Sequence, residues 1–191
     1  MRGTLRIKTI ENFFSKTAYN DYWNLFHEPK WGLRENISSK KNTGAGIDRH
    51  VGDDAFYLSL YPAHIISREL NKEYYCRRLR LRVTWPDHNE GTTPHVDSVI
   101  EFNGQSSVDY DITGVIHMKD SDGDLIIYNS IHPEPFNDKA ESIRITPKAN
   151  TCIIMMEKYY HHAFRPVNSP LRYTVNINLK ESYAKMDAPE E

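Results

Sequence analysis

The strand predicted near the C-terminal end carries polar and apolar faces in an order that constrains the fold. In residues 172–179 (RYTVNINL), Arg172, Thr174, Asn176 and Asn178 alternate with Tyr, Val, Ile and Leu. Because successive strand residues point to opposite faces, the polar set shares one face and the apolar set the other. This pattern predicts a barrel with a polar interior pocket and an apolar exterior covered by helices. Residues 76–85 (CRRLRLRVTW) also alternate and predict another two-faced strand.

Short strands separated by turns fill the rest of the C-terminal two thirds. Besides 76–85, strands are predicted at 96–102, 108–118, 124–130, 142–146, 151–157, 162–167 and 171–179. A helix-like pattern at 9–27 and a helix opening at Pro62 precede them, since proline suits the first helical position. The fold class expected is mainly β with flanking helices, a double-stranded β-helix (jelly-roll) barrel.

Length and composition predict a single domain over residues 1–191. Within it, 1–75 form a helical N-terminal support and loop, 76–179 the jelly-roll catalytic core and 180–191 a polar tail. Residues 28–54 have the composition of a loop, which is either a lid over the site or a disordered excursion.

The formal net charge of −2 argues against nucleic acid and anionic membranes as partners. Because the sequence shows no apolar run typical of a signal peptide or a membrane span, a cytoplasmic location is expected. The sequence does not indicate the oligomeric state.

Two histidines and one aspartate form a candidate metal site. His95 and Asp97 lie two residues apart, so on a strand both side chains face one way. A third ligand is offered by His161 or His162, of which strand geometry normally allows only one. Two imidazoles and one carboxylate form the facial set that holds non-haem iron and leaves coordination positions open. His117, in the middle of a predicted strand, is expected to be a pocket or core residue.

The segment from about residue 76 to 179 resembles the iron(II)- and 2-oxoglutarate-dependent dioxygenases, in their prolyl 4-hydroxylase-like branch. That family has His-x-Asp, a distal histidine and a basic residue about ten positions later. Here His95-Val96-Asp97, His162 and Arg172-Tyr173-Thr174 match, with Pro166 four residues after His162. The stretches GVIHMKDSDGDLIIYN and ITPKANTCIIM also resemble family segments. The alignment favours His162 over His161 as the distal ligand.

The resemblance implies specific roles and cofactors. His95, Asp97 and His162 would bind Fe(II), with 2-oxoglutarate and O2 as cosubstrates and ascorbate as a further candidate cofactor. Arg172 would bind the far carboxylate of 2-oxoglutarate, with the Thr174 hydroxyl as a second donor. Relatives often place a tyrosine where this chain has Trp85, which offers only an indole N–H. The candidates for the missing contact are Tyr128, Thr174 and Asn176.

Three functions are considered, of which the first is preferred. The first is hydroxylation of a carbon centre in a protein or small-molecule substrate, with release of succinate and CO2. Asp97 favours hydroxylation, because halogenating relatives replace that carboxylate with a small residue. The second is a nucleic-acid-modifying oxygenase, favoured by the Arg78, Arg80 and Arg82 stripe and opposed by Asn178, where such enzymes carry a second arginine. The third is a non-catalytic jelly-roll metal-binding protein, which would not need Arg172.

Overall fold

The computed structural model describes residues 4–27, 46–50, 56–84, 93–97, 99–100, 105–164 and 166–182. These ranges contain two helices, α1 (Lys16–Leu25) and α2 (Phe56–Leu70). They also contain eleven strands: β1 (Ile7–Glu11), β2 (Gly46–His50), β3 (Tyr74–Thr84), β4 (Val99–Ile100), β5 (Ser106–Ser107), β6 (Ile112–His117), β7 (Leu125–Ile131), β8 (Ser142–Ile145), β9 (Thr151–Met155), β10 (Tyr159–Ala163) and β11 (Arg172–Glu181). The prediction of a mainly β fold with flanking helices is confirmed.

The strands form antiparallel sheets of unequal size. The large sheet has the order β1-β9-β6-β11-β3-β2, and the small sheet has the order β10-β7-β8. Strands β4 and β5 form a separate pair. Neighbours in the large sheet are mostly distant in sequence, as in a jelly roll, where the chain passes back and forth between two sheets.

The apolar side of the large sheet packs against both helices. Ser15 caps α1, its hydroxyl accepting a hydrogen bond from the Ala18 N–H. The core beneath the helices contains Phe13, Phe14, Tyr22, Ile65 and Ile66 with Leu79, Leu81, Val83, Val175, Ile177 and Leu179 from the sheet. The apolar faces predicted for β3 and β11 are therefore their helix-facing sides, and the polar faces point the other way.

The opposite side of the large sheet, called the inner face below, looks toward the small sheet. A second apolar cluster lies between the two sheets and joins Val115, Ile153 and Met155 of the large sheet to Leu125, Ile127 and Tyr159 of the small one. All three large-sheet members come from β6 and β9. The inner faces of β11 and β3 are instead polar, so the interior has an apolar part and a polar part.

Several predicted boundaries differ from the observed ones. The Pro62 helix begins earlier, at Phe56, and contains Pro62 in its interior. Residues 7–11 are a strand, although 9–27 read as helical, because β1 pairs with buried β9. Residues 46–50 form β2 at the edge of the large sheet and are not a loop, because their backbone pairs with β3. The rest of 28–54 and the tail after 182 lie outside the described residues, and β11 continues into the predicted tail to Glu181.

The single-domain organisation stays a prediction. Neither described helix is long and apolar enough to span a membrane.

Gly114 of β6 lies where Ile66 of α2 packs closely against the large sheet. A Cβ atom at this position would lie 2.8 Å from Cγ2 of Ile177 and 3.2 Å from Cδ1 of Ile66. We expect Gly114→Ala to lower the free energy of unfolding by about 1–3 kcal/mol, the usual cost of overpacking a core. Urea unfolding measures this change. Adding Ile66→Val, which removes the Cδ1 contact, is expected to recover part of the loss; wild-type stability of Gly114→Ala would contradict the packing described.

Candidate metal centre

Three potential metal ligands converge at the polar part of the interior. The ligand-capable atoms of His95, Asp97 and His161 all lie within 4.8 Å of one another. Asp97 and His161 are buried, whereas the His95 side chain keeps 38% of its surface exposed. The cluster therefore has a closed side formed by the protein and an open side at His95.

Backbone pairing places the two histidines side by side. The His95 N–H donates to the His161 carbonyl at 3.0 Å, and the His161 N–H donates to the His95 carbonyl at 2.9 Å. This reciprocal pair attaches residues 93–97 to β10 and sets the ring centroids 4.9 Å apart. The position of His95 is therefore fixed by β10, outside any longer strand of its own.

Both rings are oriented with Nε2 available to a metal. Nδ1 of His95 lies 2.9 Å from the Thr93 carbonyl, and Nδ1 of His161 lies 3.0 Å from the Tyr159 carbonyl. A carbonyl only accepts, so each neutral ring carries its proton on Nδ1 and keeps a lone pair on Nε2. A backbone carbonyl on the second nitrogen is the usual partner of a metal-ligating histidine. Both histidines thus meet the requirement for ligation before any metal binds.

The predicted distal ligand, His162, lies elsewhere. Adjacent strand residues face opposite ways, and the His162 ring packs against Tyr128 and Phe164 at centroid distances of 5.5 and 5.1 Å. Its pKa is lowered by burial and by the neighbouring His161 and Arg144. The structure therefore groups His161, and not His162, with His95 and Asp97. The family resemblance implies His162, but the backbone pairing of His95 with His161 places His161 on the inner face.

The Asp97 carboxylate is held by groups from two strands of the large sheet. Nδ2 of Asn178 donates to Oδ2 of Asp97 at 3.1 Å and to the Thr113 hydroxyl at 2.9 Å. Nη1 of Arg78 lies 3.7 Å from Oδ1. Burial by itself raises the pKa of Asp97, but His161, Arg78, His95 and the Asn178 hydrogen bond outweigh it and lower the pKa to about 2. Asp97 is therefore ionised at neutral pH.

His95 is in its neutral form, whereas Asp97 is ionised. Desolvation and the neighbouring His161 lower its pKa to about 4, against the opposing effects of Asp97 and the Thr93 carbonyl. At neutral pH the ring is therefore neutral beside an ionised Asp97. A neutral imidazole and an ionised carboxylate are the forms that bind metal.

The sequence did not reveal the roles of Asn178 and Arg78. In the sequence, Asn178 stands where nucleic-acid-modifying relatives carry a second arginine, and Arg78 belongs to a stripe that favours that same function. Both lie on the inner face, where Asn178 pairs in register with Arg78 on one side and Thr113 on the other. The predicted polar face of β11 signalled that Asn178 points inward, but only the strand order brings it to Asp97.

Asn178→Leu is expected to weaken Mn(II) or Fe(II) binding roughly 10- to 100-fold, the usual cost of losing an outer-shell partner of a ligand. The reason is that Asp97 loses its hydrogen bond and its fixed orientation. Anaerobic titration calorimetry measures the affinity. Thr113→Val, which removes only the second anchor of Asn178, serves as the milder comparison. A metal affinity within twofold of wild type for Asn178→Leu would contradict this role.

A buried arginine lies on the same inner face. Arg172 is 4% exposed, and it forms no ion pair with any residue in the described ranges. Burial and the charge of Arg82 lower its pKa to about 10, while Asp124 acts in the opposite direction. Arg82 also lowers the pKa of His95, so it lies near both Arg172 and the metal cluster. Thr174, two residues along β11, is 1% exposed and shares the inner face.

The other residues predicted to contact the cosubstrate lie in different places. Tyr128 lies beside Phe136 and His162, with ring centroids at 5.0 and 5.5 Å. Its neighbour Ile127 points into the core between the sheets, so Tyr128 points away from the interior. Asn176 is on the inner face, and its Oδ1 has no hydrogen-bond partner within the described ranges. Trp85 lies outside the described residues.

No protein-family profile and no curated protein matches the chain by sequence. Solved structures do match it. One is the non-haem α-ketoglutarate-dependent epimerase SnoN from nogalamycin biosynthesis (TM-score 0.66, 11% identity, covering 92% of this chain and 78% of SnoN). Another is a prolyl hydroxylase from Trichoplax adhaerens in complex with a hypoxia-inducible-factor peptide (TM-score 0.61, 15% identity, covering 93% of this chain and 84% of that one). A third is HygX from Streptomyces hygroscopicus with nickel and 2-oxoglutarate (TM-score 0.60, 9% identity, covering 94% of this chain and 84% of HygX).

These similarities establish the fold: the chain has the jelly-roll architecture of the solved structures that match it. The two matches to SnoN and the prolyl hydroxylase cover 92% and 93% of this chain. At identities of 9 to 15%, the function has to be argued from the residues of this chain.

Proposed function

We propose that the chain is a non-haem Fe(II)- and 2-oxoglutarate-dependent oxygenase in which His95, Asp97 and His161 bind the iron. The observation that carries this proposal is the preformed His-Asp-His cluster, with both Nδ1 atoms directed to backbone carbonyls. Two imidazoles and one carboxylate suit non-haem iron and leave positions open for other ligands. The buried Arg172 supports the choice of cosubstrate.

Each residue has a definite task. Nε2 of His95 and Nε2 of His161 supply neutral lone pairs, and Asp97 supplies one negative charge that Arg78 and Asn178 keep ionised and oriented. Arg172 offers a planar fork for the far carboxylate of the cosubstrate, and Thr174 a hydroxyl donor. The bound Fe(II) and 2-oxoglutarate would supply the activation of O2, with release of succinate and CO2 and oxidation of the substrate.

The substrate class proposed is a carbon centre of a peptide or small molecule, oxidised by hydroxylation. Asp97 is present as a carboxylate, which supports hydroxylation over halogenation. Among the structures of similar fold, one prolyl hydroxylase holds a peptide and one structure of HygX holds hygromycin B. Arg78 is buried beside Asp97 inside the fold, which removes it from any phosphate-binding surface and weakens the nucleic-acid alternative.

The test begins without oxygen. Fe(II) is added to the metal-free protein under anaerobic conditions, followed by 2-oxoglutarate, and the visible absorption is recorded. We expect a charge-transfer band that depends on both additions. Air is then admitted, and succinate is assayed with no added substrate, because such enzymes consume some cosubstrate without it.

Two controls make the result specific. Asp97→Ala is expected to give neither the band nor succinate, and 2-oxopentanoate, which lacks the far carboxylate, is expected to bind more weakly than 2-oxoglutarate. If the wild-type protein binds Fe(II) but gives neither band nor succinate, the third alternative, a non-catalytic metal-binding protein, becomes the better interpretation.

A further inference from the structure

His117 is a fully buried histidine whose hydrogen-bonding groups have no protein partner within the described part of the chain. It lies at the end of β6 with 0% exposure, and neither ring nitrogen has a hydrogen-bond partner there. Buried polar groups are nearly always hydrogen-bonded, because leaving one unpaired costs stability. An unpaired histidine ring at this core position therefore lowers the stability of the fold, and a bound ligand could supply the missing hydrogen-bond partner.

The strand register places His117 beside the proposed carboxylate-binding residues. His117 is the direct partner of Thr174 on β11 and of Thr151 on β9. Directly opposed residues of antiparallel strands share one face, with Cβ atoms about 4.5–5.5 Å apart. His117, Thr174 and Arg172 therefore lie together on the inner face. Thr151 donates its own hydroxyl to the Ala149 carbonyl, so it is engaged elsewhere.

The electrostatic environment keeps the ring neutral. Burial and the nearby charge of Arg172 both lower the pKa of His117 well below its ordinary value. A neutral imidazole has one N–H donor and one lone pair. Nε of Arg172 is likewise buried and without a partner among the described residues. Two unsatisfied donors thus lie close together next to the Thr174 hydroxyl, and an anion is the ligand that satisfies donors of this kind.

We propose that His117 is a third binding residue for the far carboxylate of the 2-oxo acid, donating a ring N–H beside Arg172 and Thr174. This inference rests on the proposed function. A carboxylate has about four lone-pair positions, so a guanidinium fork leaves room for a hydroxyl and an imidazole N–H. His117 then supplies the contact that Tyr128, which points away from the interior, does not supply.

The test compares two ligands in metal-loaded protein without turnover. Zn(II)-loaded wild type, His117→Leu and His117→Gln are titrated by calorimetry with 2-oxoglutarate and with 2-oxopentanoate, which has the same chain length but no far carboxylate. We expect His117→Leu to weaken 2-oxoglutarate binding roughly 10- to 100-fold, the range for a hydrogen bond to a charged group. Binding of 2-oxopentanoate is expected to change less than about threefold. His117→Gln, which keeps an N–H donor, is expected to recover most of the affinity.

A structural role predicts a different set of results. In that case His117→Leu weakens both acids equally or lowers the melting temperature, and either outcome would overturn the proposal. We expect the melting temperature without ligand to stay level or rise, because an unsatisfied polar group is replaced by an apolar one.

The wild-type protein provides an independent measurement. In ¹⁵N-histidine spectra of the Zn(II)-loaded protein, the His117 ring signal is expected to shift with 2-oxoglutarate and not with 2-oxopentanoate; equal shifts with both would count against the proposal. Failure of the wild type to bind 2-oxoglutarate would overturn the proposed function itself. Wild-type binding together with unchanged affinity in His117→Leu would overturn only the role of His117.

Discussion

His161→Ala is expected to abolish Fe(II) and Mn(II) binding, whereas His162→Ala leaves the affinity within about threefold of wild type. His161 shares the metal cluster with His95 and Asp97, and His162 packs on the other face of β10 against Tyr128 and Phe164. Removing one of three ligands costs more than the roughly 10- to 100-fold loss that follows removal of an outer-shell partner. The two adjacent substitutions remove the same atoms, so they form a matched pair.

Anaerobic calorimetry with Mn(II), followed by electron paramagnetic resonance of the free ion, measures both affinities. His162→Ala is expected to show its effect in stability, with a loss of about 1 kcal/mol from the aromatic contacts on that face. Urea unfolding separates this loss from metal binding. The reverse pattern, with metal lost in His162→Ala and kept in His161→Ala, would support the ligand set that the family resemblance implies.

Much of the fold could be predicted because alternation is a local property of the chain. The polar residues of 172–178 were expected on an inward face, and Arg172, Thr174 and Asn178 are buried there while Val175 and Ile177 pack under the helices. His95 and Asp97 were expected to meet one metal because they lie two apart. They do converge, although residues 93–97 form only an isolated bridge to His161 and no longer strand.

The features that could not be predicted depend on which strands become neighbours. The choice between His161 and His162 depends on the pairing of His95 with β10, across a strand that contains a register shift between Tyr159 and His161. Asn178 reaches Asp97 only because β11 lies between β6 and β3. Strand β2 was missed because its residues are polar and its support comes from the backbone of β3. These are properties of the assembled sheet, which a local pattern does not contain.

The two ends of the proposed site differ in how their charges are balanced. At the metal end, the negative Asp97 has a cationic partner in Arg78 and a hydrogen bond from Asn178. At the cosubstrate end, Arg172 has no ion-pair partner among the described residues and lies near a second cation, Arg82. Preorganised sites often carry such a local cost, which a bound ligand offsets. The cost at Arg172 can be measured directly.

Arg172→Met is expected to weaken 2-oxoglutarate binding by about 100-fold or more while leaving the metal-free protein at least as stable as wild type. The affinity falls because a bidentate, charge-assisted contact is removed from a site shielded from water. Stability is retained because a buried cation without a close counter-ion is replaced by an apolar side chain of similar length, a change that is often neutral or stabilising. Mn(II) affinity is expected to stay within about threefold, since Arg172 is not a ligand.

The control variant Arg172→Lys keeps the charge but loses the planar fork, so we expect an affinity for 2-oxoglutarate between those of wild type and Arg172→Met. With 2-oxopentanoate, which lacks the far carboxylate, the three proteins are expected to bind almost equally. Calorimetry of the metal-loaded proteins and urea unfolding of the metal-free proteins give the two readouts. A large loss of stability in Arg172→Met would mean that the buried guanidinium supports the fold. Equal weakening with both acids would mean that it acts on the site as a whole and not on the far carboxylate.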